Sequence, residues 1–181
     1  MLRSPFFYLL FITLFLSCRK ETNNHLSKNS VTSDEAIAIR DKALLKFQNK
    51  DYNSAFYNFN KSKIAFENLK DSSNIVYNLI QMAAIQQING DYYGSKETLT
   101  EALPYINQKD VYSAAINNYF GIADKELSIY EDAVYYYKEA LKECKDSICK
   151  KAPLNNIAVI YILQNKYDKA ILILESILFK G

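Results

Sequence analysis

The sequence predicts an all-α fold, a row of about four helical hairpins, on three observations. First, 181 residues hold only four glycines and three prolines. That is too few to punctuate a many-stranded sandwich or to supply a phosphate-cradling loop. Second, Tyr52, Tyr92, Tyr130 and Tyr167 stand 40, 38 and 37 residues apart, a spacing that signals a repeat of one supersecondary unit. Third, residue size keeps fixed offsets from each tyrosine. Nine residues before it lie Ala43, Ala83, Gly121 and Ala158, and three after it Ala55, Ser95, Ala133 and Ala170. Seven after it lie Phe59, Leu99, Tyr137 and Leu174, and ten after it Ser62, Ala102, Ala140 and Ile177. Small residues on facing sides let two helices approach closely, and the large residue fills the space beside them.

The first element is not part of that row. Arg3 gives a short positive start, and Phe6–Leu16 is an almost unbroken apolar run of eleven residues. As a helix it would reach about 16 Å, roughly half a bilayer's hydrocarbon core, so it reads as a signal-peptide core covering 1–17. Leu14-Phe15-Leu16-Ser17-Cys18 resembles the lipobox of bacterial lipoproteins, which implies lipidation of Cys18 and a membrane anchor. One acyl chain binds only marginally, whereas the two or three of a lipoprotein hold firmly. Residues 18–33 carry few aliphatics, too few to offset ordering entropy, and read as a flexible tether. The chain's one histidine, His25, lies in that polar segment and reads as solvated rather than catalytic or metal-binding.

The helices follow in order over 34–181, with repeats expected at about 34–70, 73–108, 110–146 and 152–181. Thr32-Ser33-Asp34-Glu35 has the spacing of a capping box and opens the first helix. Asp71-Ser72-Ser73-Asn74 and Asp110 suit the starts of the first helices of the second and third hairpins. Pro104 falls inside an expected helix, which should end near Leu103 or kink there. Pro153 is expected in the first turn of the fourth hairpin, where its missing donor costs little.

With this register in place, the chain resembles the tetratricopeptide repeat family. The family's small residue of helix A, its turn tyrosine, and the small and large residues of helix B fall on Ala43, Tyr52, Ala55 and Phe59. They recur on Ala83, Tyr92, Ser95 and Leu99, on Gly121, Tyr130, Ala133 and Tyr137, and on Ala158, Tyr167, Ala170 and Leu174. The sequence departs from the family where Ile39, Leu79, Asn117 and Leu154 replace a tryptophan. It departs again where Lys46, Gln86 and Asp124 replace the helix-A tyrosine that survives as Tyr161. The period exceeds the usual value of about 34, which implies longer loops between repeats. The resemblance implies a right-handed superhelix (α-solenoid) with its concave face lined by the A helices. Family geometry places Arg40, Leu44, Phe47, Tyr77, Ile80 and Ala84 in that groove, then Asn118, Ile122, Lys125, Asn155, Val159 and Ile162. In chaperone-binding relatives a basic and asparagine clamp holds a peptide's terminal carboxylate. Leu44 occupies one asparagine place here, so an extended or helical peptide with apolar anchors fits better.

Few residues invite chemistry. Tyr135-Tyr136-Tyr137 cannot form one flat stacking surface, because consecutive helical residues point about 100° apart. Cys144 and Cys149 would be too distant for a bridge in one unbroken helix. A turn at Lys145-Asp146-Ser147 leaves two readings, a loop disulfide or two free thiols. Asp124, Glu126, Glu131 and Asp132 read as solvated faces and caps. No nucleophile motif, metal-ligand set or glycine-rich phosphate loop is present, and no cofactor or enzymatic activity is expected. With 22 basic and 20 acidic residues, no net field favours nucleic acid.

The expected function is therefore a lipid-anchored interaction scaffold in the bacterial cell envelope, facing the periplasm and binding a protein or peptide partner. The alternative is a truncated sensory region of a histidine kinase or helix-turn-helix regulator. The last helix, Ile171 to Phe179, is apolar nearly all round, which suggests self-association or a covering partner.

Overall fold

The computed structural model describes residues 31–106 and 111–179, and every structural statement below concerns those residues. They are all-helical: α1 (Ser33–Gln48), α2 (Tyr52–Leu69), α3 (Ser72–Ile88), α4 (Tyr92–Ala102), α5 (Ser113–Glu126), α6 (Tyr130–Glu143), α7 (Ser147–Leu163) and α8 (Tyr167–Phe179). Each helix packs on its neighbour in sequence, and α3 also touches α5 as α5 touches α7. The expected signal-peptide segment 1–17, Cys18, His25 and Asp110 lie outside the described residues.

Four hairpins share one turn, and the turn explains the tyrosines. Tyr52, Tyr92, Tyr130 and Tyr167 are the first residues of α2, α4, α6 and α8. Two positions earlier the backbone is left-handed each time, at Lys50, Gly90, Ser128 and Asn165 (φ 59°, 79°, 63° and 58°). A left-handed residue ends a helix and lets the next N–H reach back to an orphan carbonyl. The amides of Asp51, Asp91, Ile129 and Lys166 do this, donating to the Lys46, Gln86, Asp124 and Tyr161 carbonyls at 2.8–2.9 Å. Chain reversal is thus fixed by backbone geometry, which is why the side chain at the left-handed place varies.

The offsets seen in sequence become interhelical contact. The small residues Ala43, Ala83, Gly121 and Ala158 are buried, as are Ala55, Ser95, Ala133 and Ala170. Phe59, Leu99 and Tyr137 are fully buried against them, whereas Leu174 is only half-buried. Gly121 shows why size must be complementary. A Cβ there would lie 2.5 Å from Cε1 of the Tyr137 ring, so the largest filler faces the smallest partner. One apolar cluster joins α1 to α5 through Phe66, Leu79, Leu99 and Ile116; another joins α6 and α7 through Tyr137, Ile157 and Ile160.

Several local expectations are met. Thr32 and Glu35 form the reciprocal capping box of α1, and the Asp71 carboxylate accepts from the Asn74 amide at the start of α3. α4 stops at Ala102, and Pro104 lies in a single 3-10 turn, Leu103–Tyr105. Three details differ. The long period comes from long helices rather than long loops, at least early on: α2 has 18 residues, α3 has 17, and only Lys70 and Asp71 join them. α7 begins at Ser147 rather than near 152, with the Asp146 side chain capping its first turn. Pro153 consequently sits inside α7 and not in its first turn.

Candidate functional site

The A helices α1, α3, α5 and α7 meet through a line of side chains. Arg40 of α1 donates to the Asn74 carbonyl oxygen Oδ1 on α3 at 2.6 Å, and its guanidinium lies 5.7 Å from the Tyr77 ring centre. The Tyr77 ring meets that of Tyr112, at the start of α5, edge-on at 6.5 Å. Further along, Asn156 of α7 donates to Asn118 of α5 at 3.2 Å. Asp41 accepts from Arg40 as well, at 3.3 Å. The arginine is therefore held by three partners from two helices and is no free anion receptor. Burial raises the Tyr77 hydroxyl above its ordinary range, opposed by the Arg40 charge.

The expected groove residues divide by exposure. Arg40, Leu44, Phe47 and Tyr77 are half-buried, as are Asn118, Ile122, Lys125 and Val159, while Asn155 and Ile162 are exposed. Ile80 and Ala84 are not open to a partner: they are 5% and 7% exposed and belong to the core. The cause is the position of α3, covered by α2, α4 and α5. Leu44, Phe47 and Tyr77 pack onto a cluster built on Ala43, Phe59 and Met82, so these three side chains are anchored from beneath. Asn74, Tyr112 and Asn156 join this line of side chains, although the sequence marked Asn74 only as part of a helix start and did not mark the other two. Asn74 lies three before Tyr77 and Asn156 three before Val159, a helical step that was the available signal, whereas Tyr112, six before Asn118, had none.

Elsewhere, polar groups tie successive hairpins together. The Gln87 amide donates to Ser95 Oγ and to the Tyr119 carbonyl, at 2.9 and 2.8 Å, joining α3, α4 and α5. Ser62 Oγ donates to the Ala36 carbonyl and accepts from Asn78. Asp124 is not the solvated carboxylate its sequence context suggested. It is fully buried and paired with Lys96 of α4 at 2.5 Å, because α4 covers this end of α5. Burial, with the Glu126 and Asp124 charges, pushes the neighbouring Tyr137 hydroxyl far above the ordinary phenol range. Tyr136 stacks on Phe120 with centroids 5.0 Å apart, while Tyr135 is exposed.

Cys144 and Cys149 are bonded, with Cα atoms 5.4 Å apart. Cys144 caps the end of α6 and Cys149 lies in the first turn of α7, so a helix break supplies the proximity. An open depression of about 500 Å³ lies between α1 and α2, lined by residues such as Lys42, Lys46 and Tyr57. Among the described residues no cluster of three or more His, Cys, Asp or Glu side chains could hold a metal. None of the described helices is long and apolar enough to cross a membrane. No family model matches this sequence, and no curated protein matches it.

Proposed function

We propose that the chain is a lipid-anchored scaffold of tetratricopeptide-like hairpins that stack as a right-handed superhelix and take a peptide along the A-helix groove. The observation that carries this reading is the side-chain line from Arg40 through Tyr77 to Tyr112 and from Asn118 to Asn156. It runs across hairpins rather than within one, as a surface shared by stacked units requires. Half-buried Leu44, Phe47, Ile122 and Val159 supply apolar anchor points, and Asn118 and Asn155 supply polar contacts. Arg40 is already engaged, so recognition rests on apolar anchors rather than on a terminal carboxylate. Cys18 is the proposed lipid attachment site and the periplasmic side of a bacterial membrane the proposed location. The polar segment between Cys18 and α1 would then be the tether.

One experiment addresses both halves. The full chain, expressed in a bacterium fed labelled palmitate, should carry the label on Cys18 and lose it in Cys18→Ala. The same detergent-extracted protein should retain peptides with two or three apolar anchors from a random array. Leu44→Lys combined with Val159→Lys should weaken that retention about tenfold, the equivalent of roughly 1.4 kcal/mol. Both positions are half-buried, and an unchanged circular dichroism spectrum of the double variant separates lost retention from lost fold. Retention unchanged in the double variant overturns the groove reading, and an unlabelled chain overturns the anchor.

A further inference from the structure

We propose that the Cys144–Cys149 disulfide is a redox latch that holds the first turns of α7 in helical form. Ser147–Ala152 make up those turns, and every one of these residues is exposed except half-buried Cys149. Packing therefore contributes almost nothing to their order. The next residue, Pro153, works against them. It has no N–H for the Cys149 carbonyl four residues back, and its ring crowds that carbonyl. A helix beginning at Pro153 escapes both penalties, since proline is well suited to the first helical position.

Two groups oppose that shortening, and both act on Cys149. The Asp146 carboxylate accepts from the Cys149 amide at 2.8 Å, forming the cap of α7. The disulfide ties Cys149 to Cys144, the residue that closes α6. A cap alone is worth less than an interior proline costs. The bridge tips the balance, because it leaves residues 145–148 too short a span to unwind freely.

Reduction removes the latch. A dithiol supplies two electrons and two protons, the Sγ–Sγ bond breaks, two thiols form, and the dithiol closes to its own disulfide. α7 then begins at Pro153. The released segment carries Lys145, Lys150 and Lys151 beside Ile148, which is already 78% exposed. From Ile157 onward α7 keeps its core contacts with α6 and does not move. The latch stands whether or not the groove takes a peptide.

Hydrogen exchange of the full chain, before and after excess dithiothreitol, tests this. The amides of Lys150, Lys151 and Ala152 should exchange at least about tenfold faster after reduction, while those of α3 stay unchanged. Cys144→Ser with Cys149→Ser should reproduce the fast exchange without dithiol. Pro153→Ala should keep the reduced segment within about twofold of its oxidised rate, because the competing helix start is gone. Unchanged protection on reduction overturns the proposal. So does an equal redox response in Pro153→Ala, or a loss of protection throughout α5–α8, which would make the bridge a general staple.

Discussion

α3 and α8 are both rich in aliphatic residues, yet one is core and the other is largely surface. α3 buries nine of its seventeen residues, whereas Ala170 is the only fully buried residue of α8. Leu178 and Phe179 are 74% and 82% exposed. The difference lies in neighbours: α3 has α2 on one side with α4 and α5 on the other, and α8 packs on α7. Helix burial in a row of hairpins is set by position in the row and not by the helix's own pattern. Equivalent places make the point. Ser62, Ala102 and Ala140 are fully buried, and Ile177, in the same register, is half-buried.

The sharpest way to break this comparison uses one residue type at one register position. Leu99→Ala removes a fully buried side chain and should cost about 3 kcal/mol, while Leu174→Ala should cost about 1 kcal/mol. Urea unfolding of the two variants measures both, and equal costs would mean that the outer face of α8 is covered in solution. Next in size is the close approach of α5 and α6. Gly121→Ala drives a methyl into the Tyr137 ring and should cost about 2 kcal/mol, with Tyr137→Leu in the same chain recovering most of it. A neutral Gly121→Ala would place the ring elsewhere. The smallest effect is electrostatic, at the α1–α2 turn. Hydrogen bonds from Lys46 and Ser54 hold the Asp51 carboxyl below its ordinary value of 3.8. A depressed carboxyl stabilises the fold fully above its unfolded pKa, and that contribution is lost as pH falls through the folded value. NMR titration should find Asp51 below its ordinary value, and Lys46→Met should raise it part of the way back, the Ser54 hydrogen bonds remaining; an unmoved pKa in that variant removes Lys46 as a cause.

Legibility followed the range of the interaction. The four turn tyrosines, the small residues nine before them and the capping box at Thr32 and Glu35 are local or strictly periodic, and they were readable. Pro153 was misplaced because proline's preference for a first turn is a local rule, and α7 starts six residues earlier, where the Asp146 cap and the Cys144–Cys149 bridge both act. Asp124 was misread for a different reason. Its partner Lys96 is 28 residues away on another helix, and nothing in a helix's own pattern marks a face that a later contact will cover. The proposed partner face was legible only as a register: the helical period placed Arg40, Tyr77 and Asn118 on α1, α3 and α5, but it could not tell half-buried Leu44 from buried Ile80.

The sequence by itself determined that this chain is helical, where its hairpins turn, and which residues must be small for helices to meet. Those properties depend on propensity, capping and periodic size, all written within one repeat. Tertiary structure alone decided that Lys96 neutralises a buried Asp124, that Ile80 is core, and that Cys144 meets Cys149 across a helix break. It also decided that Leu174 is half-buried where Leu99, in the same register, is core. Each of these depends on which helix lies alongside another, and long-range packing sets that through contacts no single repeat contains.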